Sequence, residues 1–243
     1  MEITHLSPSS INRFLHECPR KWLYEKLGVP GVVKDESRAL YGKAVHNIMV
    51  IYFDKIGRNP SEEEIENVAK EAFEEGKNYA MEGFGYRTNQ ILKNFIDFEK
   101  KRKRTWKQYK PTFIEKRLEV KPWSELPTLV NVIDAYWEED GAVVDWKTGN
   151  AEMSEEFMVQ GKVNETSLKM NGYKCERVFF YGLYNGRLLT VPKITDGWLY
   201  KLVWQMVEMV KAEKFPKRQS GLCEYCPFQL RCEFDGTCLW WEI

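Results

Sequence analysis

The sequence predicts an α/β chain of the α+β kind, in which helices precede and follow a block of strands built around one charged hairpin. Three observations predict it. Helical apolar spacing runs through the segment from Ser7 to Tyr109, and period-two alternation takes over at Phe113. Asp140-Gly141, a strong tight-turn signal, separates two runs rich in β-branched and aromatic residues, Leu129 to Trp137 and Ala142 to Thr148. At 243 residues the chain can bury a proper core, and one domain with embellishments is expected across 1–243.

The elements follow in order. Ser7-Pro8-Ser9-Ser10 is an N-cap with proline in the first turn, and Ile11, Phe14 and Leu15 continue at helical spacing. A second short helix follows Cys18-Pro19 through Trp22, Leu23 and Leu27 to a stop at Gly28, so Cys18 sits at a corner between helices. After a loop from Val29 to Glu36, Ser37 to Ile56 reads as a helix with Leu40, Val45, Ile48, Met49 and Tyr52 apolar and His46 on or beside that stripe. Ser61 caps the next helix, Glu62, Glu63 and Glu64 complement its positive end, and it is expected to reach about Met81.

Past Gly83-Phe84-Gly85, a helix is expected from Thr88 to Tyr109. It carries Lys100, Lys101, Arg102, Lys103, Arg104 and Lys107, with Lys110 just beyond and no acid between them. Such a run is usually a solvated face. Interleaved with Trp106 and Tyr109, it also has the composition to track a phosphate backbone and stack on a base, which makes Lys101, Arg102, Lys103, Arg104 and Trp106 candidates for nucleic-acid contact. The strand Phe113 to Val120 then sets Glu115, Arg117 and Glu119 on one face and Ile114, Leu118 and Val120 on the other. After the hairpin come a helix from Ser154 to Leu168 carrying Gln160, a strand pair turning at Asn185-Gly186, and a last helix, Trp198 to Lys214, capped by Thr195. Cys175 is expected to be buried and inert.

The hairpin register decides the chemistry. With a two-residue loop at Asp140-Gly141, Asp134 lies opposite Lys147; with a four-residue loop it lies opposite Asp145. Either way Asp134, Asp145 and Lys147 share one face and Trp146 points the other way. Unpaired charge on a buried sheet face is costly. Around a divalent cation the same three residues make sense, because Mg²⁺ or Mn²⁺ takes carboxylate oxygens and keeps waters, one of which can attack a phosphodiester beside the lysine. A solvated face with a chance Asp-Lys pair would read the same locally.

The tail differs in kind. Cys223-Glu224-Tyr225-Cys226, followed by Cys232 and Cys238, has metal-ligand spacing. Zn²⁺ on those four cysteines is the simplest local reading, and an iron-sulfur cluster on three of them with one distant cysteine is the alternative. The chain balances 36 basic against 36 acidic residues, so any nucleic-acid surface must be local. No apolar run is long enough for a membrane span, and Met1 to Gly28 lacks a signal-like apolar core, so a cytoplasmic location is the default expectation. Six cysteines there fit metal ligands or buried thiols better than disulfides.

Taken in order, Gly42-Lys43-Ala44-Val45-His46, Ile133-Asp134, Asp145-Trp146-Lys147-Thr148-Gly149 and Gln160 resemble the motifs of RecB-like nucleases of the PD-(D/E)XK superfamily. Cys18 with Cys223, Cys226 and Cys232 is similar to the split cysteine set that holds a [4Fe-4S] cluster in the CRISPR-associated branch. The resemblance implies a restriction-endonuclease-like core, a mixed sheet flanked by helices, with a cysteine-rich C-terminal tail. It implies that His46, Asp134, Asp145 and the Trp146 carbonyl bind Mn²⁺ or Mg²⁺, that Lys147 is the catalytic lysine, and that Gln160 positions lysine or DNA. Asn164 stands where the family usually has tyrosine, Asn131 where it often has glycine, and Cys238 has no counterpart.

The activity so implied is a metal-dependent DNA exonuclease acting on single strands, with prespacer trimming for a CRISPR integrase complex as the branch's role. A viral or stand-alone repair nuclease would share every motif. An adaptor that binds nucleic acid through a zinc- or cluster-stapled fold, its old active site decayed, is the non-enzymatic alternative. No phosphate-binding loop of the Gly-x4-Gly-Lys-Ser/Thr type occurs, so a helicase motor would belong to a partner. The oligomeric state, homo-oligomer included, is left open.

Overall fold

The structure is a computed structural model describing residues 2–32, 36–77, 81–221 and 223–234. In chain order, β1 (His5–Leu6) leads into α1 (Pro8–Asn12), where Ser7 Oγ accepts the Ser10 N–H and Pro8 occupies the first turn. A π turn (Arg13–Glu17) and the extended Cys18 precede α2 (Pro19–Lys26). Long α3 (Ser37–Lys55) buries Tyr41, Val45, Ile48, Met49 and Tyr52 at helical spacing. α4 (Glu62–Gly76) is capped by Ser61 and carries its three glutamates at the positive end. It stops short of Met81, at a glycine pressed against Ile48.

α5 (Gly85–Thr105) also ends earlier than its sequence pattern implies. The reason is tertiary. Trp106 and Tyr109 leave the helix to pack in the core, and the Asp140 carboxylate accepts the backbone N–H groups of Lys107 and Gln108 at 3.1 Å each. Then follow β2 (Phe113–Val120), β3 (Thr128–Trp137), β4 (Ala142–Lys147), α6 (Glu155–Met170, capped by Ser154), β5 (Arg177–Gly182), β6 (Arg187–Thr190), α7 (Asp196–Lys211) and α8 (Gln229–Phe234).

The sheet is mixed, as expected. β3 and β4 are antiparallel, β4 and β5 parallel, β5 and β6 antiparallel, and β2 also pairs with β3. Trp137 pairs with Ala142, so the hairpin loop is the four-residue Glu138–Gly141, closed by a Gly141 N–H to Glu138 carbonyl bond of 3.0 Å. Gly141 sits at φ +53, where a side chain is strained. The shorter loop fails because the Asp140 side chain is committed to the segment after α5. Continued one pair, the observed register sets Asp134 across from Asp145.

Alternation breaks at two points, both next to acids. Glu115 in β2 has φ +47, and its neighbours change sides: Phe113 and Leu118 pack in one hydrophobic cluster, Ile114 against the other. The expected common face of Ile114 and Leu118 is therefore not formed. In β3, Ile133 and Tyr136 share a cluster although three residues apart, so the pleat shifts around Asp134. Such irregularities re-aim side chains.

The chain divides into two compact units, residues 1–35, 121–129 and 195–243 in one and 36–120 with 130–194 in the other. In the second unit, α3, α4 and α5 pack with Trp137, Val144, Trp146 and Tyr181 on one sheet face, while Leu168 of α6 joins Ile133, Tyr136, Val143 and Val178 on the other. In the first, β1 pairs in parallel with Thr128 and Leu129, and Phe215 stacks on Trp22 and meets Phe14 edge-on. Among the described residues no helix is long and apolar enough to cross a membrane.

Candidate metal centre and catalytic lysine

Burial of Trp146 orients the strand that carries the site. Its indole stacks on Phe53 at 5.8 Å within the core, so Asp145 and Lys147 on either side face α6. Gln160, one residue before the closely packed Gly161, bridges both: its Oε1 accepts from Lys147 Nζ at 2.9 Å, and its Nε2 donates to Asp145 Oδ2 at 2.5 Å. A side chain at Gly161 would run into Val191, which explains how α6 approaches the sheet so closely. Beneath the ammonium, Phe180 and Phe157 stack at 4.4 Å, with Nζ 5.1 and 5.6 Å from their centroids.

Across the hairpin, Asp134 Oδ2 accepts the Trp146 N–H at 2.8 Å. His46 donates from Nε2 to the Trp146 carbonyl at 3.0 Å and places Nδ1 3.3 Å from Glu115 Oε1 and 3.6 Å from Asp134 Oδ2. The backbone of Trp146 is thus held on both sides, its N–H by a carboxylate and its carbonyl by an imidazole. Glu115 was not legible as a site residue. On sequence it is one of three charged residues on a strand face, and only its left-handed backbone carries its carboxylate to His46.

Electrostatics are those of crowded acids awaiting a cation. Burial, then the charge of Asp145, pushes the Asp134 carboxyl up to about 8, against the pull of His46 and Lys147. For His46, burial works downward, but the Glu115 hydrogen bond and the surrounding carboxylates overcome it and raise the imidazole to about 9. Asp145 is 1% exposed, and its Oδ1 has no hydrogen bond even though Lys147 Nζ stands 2.6 Å away. A buried carboxylate oxygen that faces a cation without an aligned hydrogen-bond donor is where a hard cation can also fit. His46, Glu115 and Asp134 each bring a ligand atom within 4.8 Å of the others, an oxygen-rich set with one imidazole that suits Mn²⁺ or Mg²⁺.

The basic run after α5's midpoint does not form a stacking platform. Arg102 is buried, paired in bidentate fashion with Glu99 at 2.6 and 3.0 Å, and lies over the rings of Tyr109 and Trp137 at 4.5 Å each. Trp106 packs edge-on against Trp137 at 5.2 Å. Arg104 pairs with Glu62 and Lys100 with Glu66, while Lys103 donates to the Pro60 carbonyl; Lys101 is exposed. The helix contact with α4 consumes charges that the sequence left unassigned.

In the first unit, Cys18, Cys223, Cys226 and Cys232 are reduced thiols outside any disulfide, and all four are half-buried. Backbone N–H groups of Arg218 and Ser220 donate to the sulfurs of Cys18 and Cys223 at 3.4 Å. The Cys226 thiol is raised by burial, with further repulsion from Cys18 and Cys223, which puts these three thiols in one electrostatic neighbourhood. Cys238 lies outside the described residues. Cys175 is buried, and burial pushes its thiol up to about 12.

A family model described as the PD-(D/E)XK nuclease superfamily matches residues 5–170. No match is found among curated proteins. Among solved structures, the chain is similar to the crystal structure of SSO0001, at 14% identity and a TM-score of 0.46 over 96% of this chain and 87% of that one. The superfamily match takes in His46, Asp134, the Asp145-Trp146-Lys147 strand and Gln160, and the mixed sheet with flanking helices agrees with its core. This chain therefore belongs to the PD-(D/E)XK nuclease superfamily, the metal-dependent nucleases.

Proposed function

We propose that the protein is a metal-dependent DNA exonuclease that cleaves single strands, with His46, Glu115, Asp134, Asp145 and the Trp146 carbonyl holding Mn²⁺ or Mg²⁺. The observation that carries the reading is the buried Oδ1 of Asp145, ion-paired with Lys147 at 2.6 Å beside Gln160 but without an aligned hydrogen-bond donor among the described residues. A bound divalent ion would supply Lewis acidity and lower the pKa of a coordinated water. The protein's own residues do the rest. Lys147, held over two rings and by Gln160, keeps a cation next to the scissile phosphate, where negative charge grows in the transition state. Gln160 fixes the separation of Lys147 and Asp145, since one amide bonds both. To act as a ligand, His46 must release the Nδ1 proton now directed at Glu115.

Mn²⁺-dependent degradation of end-labelled single-stranded DNA tests the reading. Wild type should degrade it and Asp145→Ala should not; equal activity in both refutes the assignment of this site, and none in either refutes it in favour of an adaptor.

The same proposal assigns a [4Fe-4S] cluster to Cys18, Cys223, Cys226 and Cys232. Its support is the thiol-rich set with N–H donors on two sulfurs, a feature that tunes clusters. Anaerobically purified protein should absorb in the visible range and Cys18→Ala should lose iron. Colourless protein with stoichiometric zinc, indifferent to Cys18→Ala, would return the site to the local zinc reading. Prespacer trimming with a CRISPR integrase is the biological role this combination fits best.

A further inference from the structure

A groove of about 480 Å³ runs from the metal centre along α3, lined by Ala39, Gly42, Lys43, His46, Asn47, Val50 and Glu115. Two of these residues, His46 and Glu115, belong to the centre itself; the other five lie along one stripe of the helix. From Ala39 to Val50 that stripe is about 16 Å long at ~1.5 Å per residue, enough for more than one nucleotide unit. We infer that this stripe is the track for the nucleic-acid strand entering the centre, with Lys43 binding a backbone phosphate next to the one attacked. The inference rests on the nuclease reading and deepens it.

The chemistry of the lining supports a sugar-phosphate chain over an apolar or basic partner. Lys43 is exposed and has no ion pair or hydrogen bond among the described residues, unlike Lys100, Lys103 and Arg104 on α5. It precedes His46 by three residues, so the two side chains sit one above the other on the same face. The only acid in α3 is Asp54, beyond the groove's far end, and Arg38, exposed one turn before Gly42, extends the positive side. Ala39 and Gly42 keep the floor low enough for a backbone to approach, and Asn47 offers a donor and an acceptor to sugar or base. Glu115, the one acid in the lining, stands at the metal end, where a divalent ion would offset it.

Binding of fluorescent oligothymidylate, followed by anisotropy in EDTA over a range of salt, separates this role from catalysis. Lys43→Ala should weaken binding several-fold and flatten the slope of log K against log salt by about 0.7, the share of one phosphate contact on a single strand. Lys43→Glu should weaken it further, and Ala39→Trp should weaken it with the slope unchanged. Both positions are exposed, so melting curves of all three variants should match wild type. Wild-type affinity and slope in both Lys43→Glu and Ala39→Trp overturn the track. If that happens while Asp145→Ala still abolishes cleavage, the track alone fails; if wild type does not cleave, the nuclease reading fails whatever the binding data say.

Discussion

Removing Arg102 separates a structural guanidinium from a nucleic-acid contact. Arg102 and Glu99 are buried at 1% and 0% exposure, joined by two hydrogen bonds, and the guanidinium also donates to the Gln108 carbonyl at 3.2 Å. Around it stand Tyr109, Trp137, Trp106 and Phe53, with the last two centroids at 5.4 and 5.9 Å. Arg102→Ala leaves the Glu99 carboxylate buried without its partner, a loss of about 3–5 kcal/mol. At roughly 2–4 °C per kcal/mol for a chain of this size, thermal unfolding by circular dichroism should shift down by about 6–20 °C. Glu99→Leu with Arg102→Met should recover most of the loss, because a buried ion pair is seldom more stable than well-packed apolar groups of similar volume. Exposed Lys101→Ala should stay within about 0.5 kcal/mol of wild type. A melting temperature of Arg102→Ala near wild type, together with a flatter salt dependence of DNA binding, would refute the structural role.

Two further outcomes follow from the same geometry. Asn131 Nδ2 donates to Asn164 Oδ1 at 2.6 Å, both residues are buried, and Asn164 lies one turn beyond Gln160. Asn131→Ala and Asn164→Ala should each cost about 1–3 kcal/mol, and their double-mutant cycle should show coupling of about 0.5–3 kcal/mol. Pairing Asn131→Gly with Asn164→Tyr should be milder than either change alone; additive singles would break the link. The third outcome concerns pH. His46, ordinarily at 6.5 and raised to about 9, contributes stability that is complete below pH 6.5 and lost as pH rises through 9. Asp134, raised from 3.8 to about 8, keeps in the fold a proton that the unfolded chain gives up across that window, so stability again falls as pH rises. Metal-free protein in EDTA should therefore melt at lower temperature as pH climbs from about 4 to 9, and Mn²⁺ should stabilise it more at the alkaline end. A melting temperature that rises with pH in EDTA would contradict both shifts.

How much was legible varies element by element. Ser7, Ser61 and Ser154 cap their helices as their local sequences dictate, because capping needs only a hydroxyl and the next few N–H groups. His46, Asp134, Asp145, Lys147 and Gln160 could be picked out because their spacing and order are local or family-wide signals. Glu115 could not, since its place depends on a left-handed residue that alternation does not foresee. Asn131 and Asn164 read as two separate departures from the family pattern. In the fold they are one contact, which no separation of 33 residues along a chain announces.

By itself, the sequence determined the mixed α/β class, the hairpin, and the shared face of Asp134, Asp145 and Lys147, which any even-length loop preserves. The tertiary structure decided the loop length, because Asp140 binds the backbone of Lys107 and Gln108 instead of serving only its own turn. It also decided which cations are spent. Arg102 looked free beside Lys101 and Lys103 until Glu99 and four rings enclosed it, while Lys43, given no role of its own in its helix, has no ion pair or hydrogen bond among the described residues and stands beside His46. Charge in a sequence is a count; its availability depends on which neighbours the fold brings within hydrogen-bond reach.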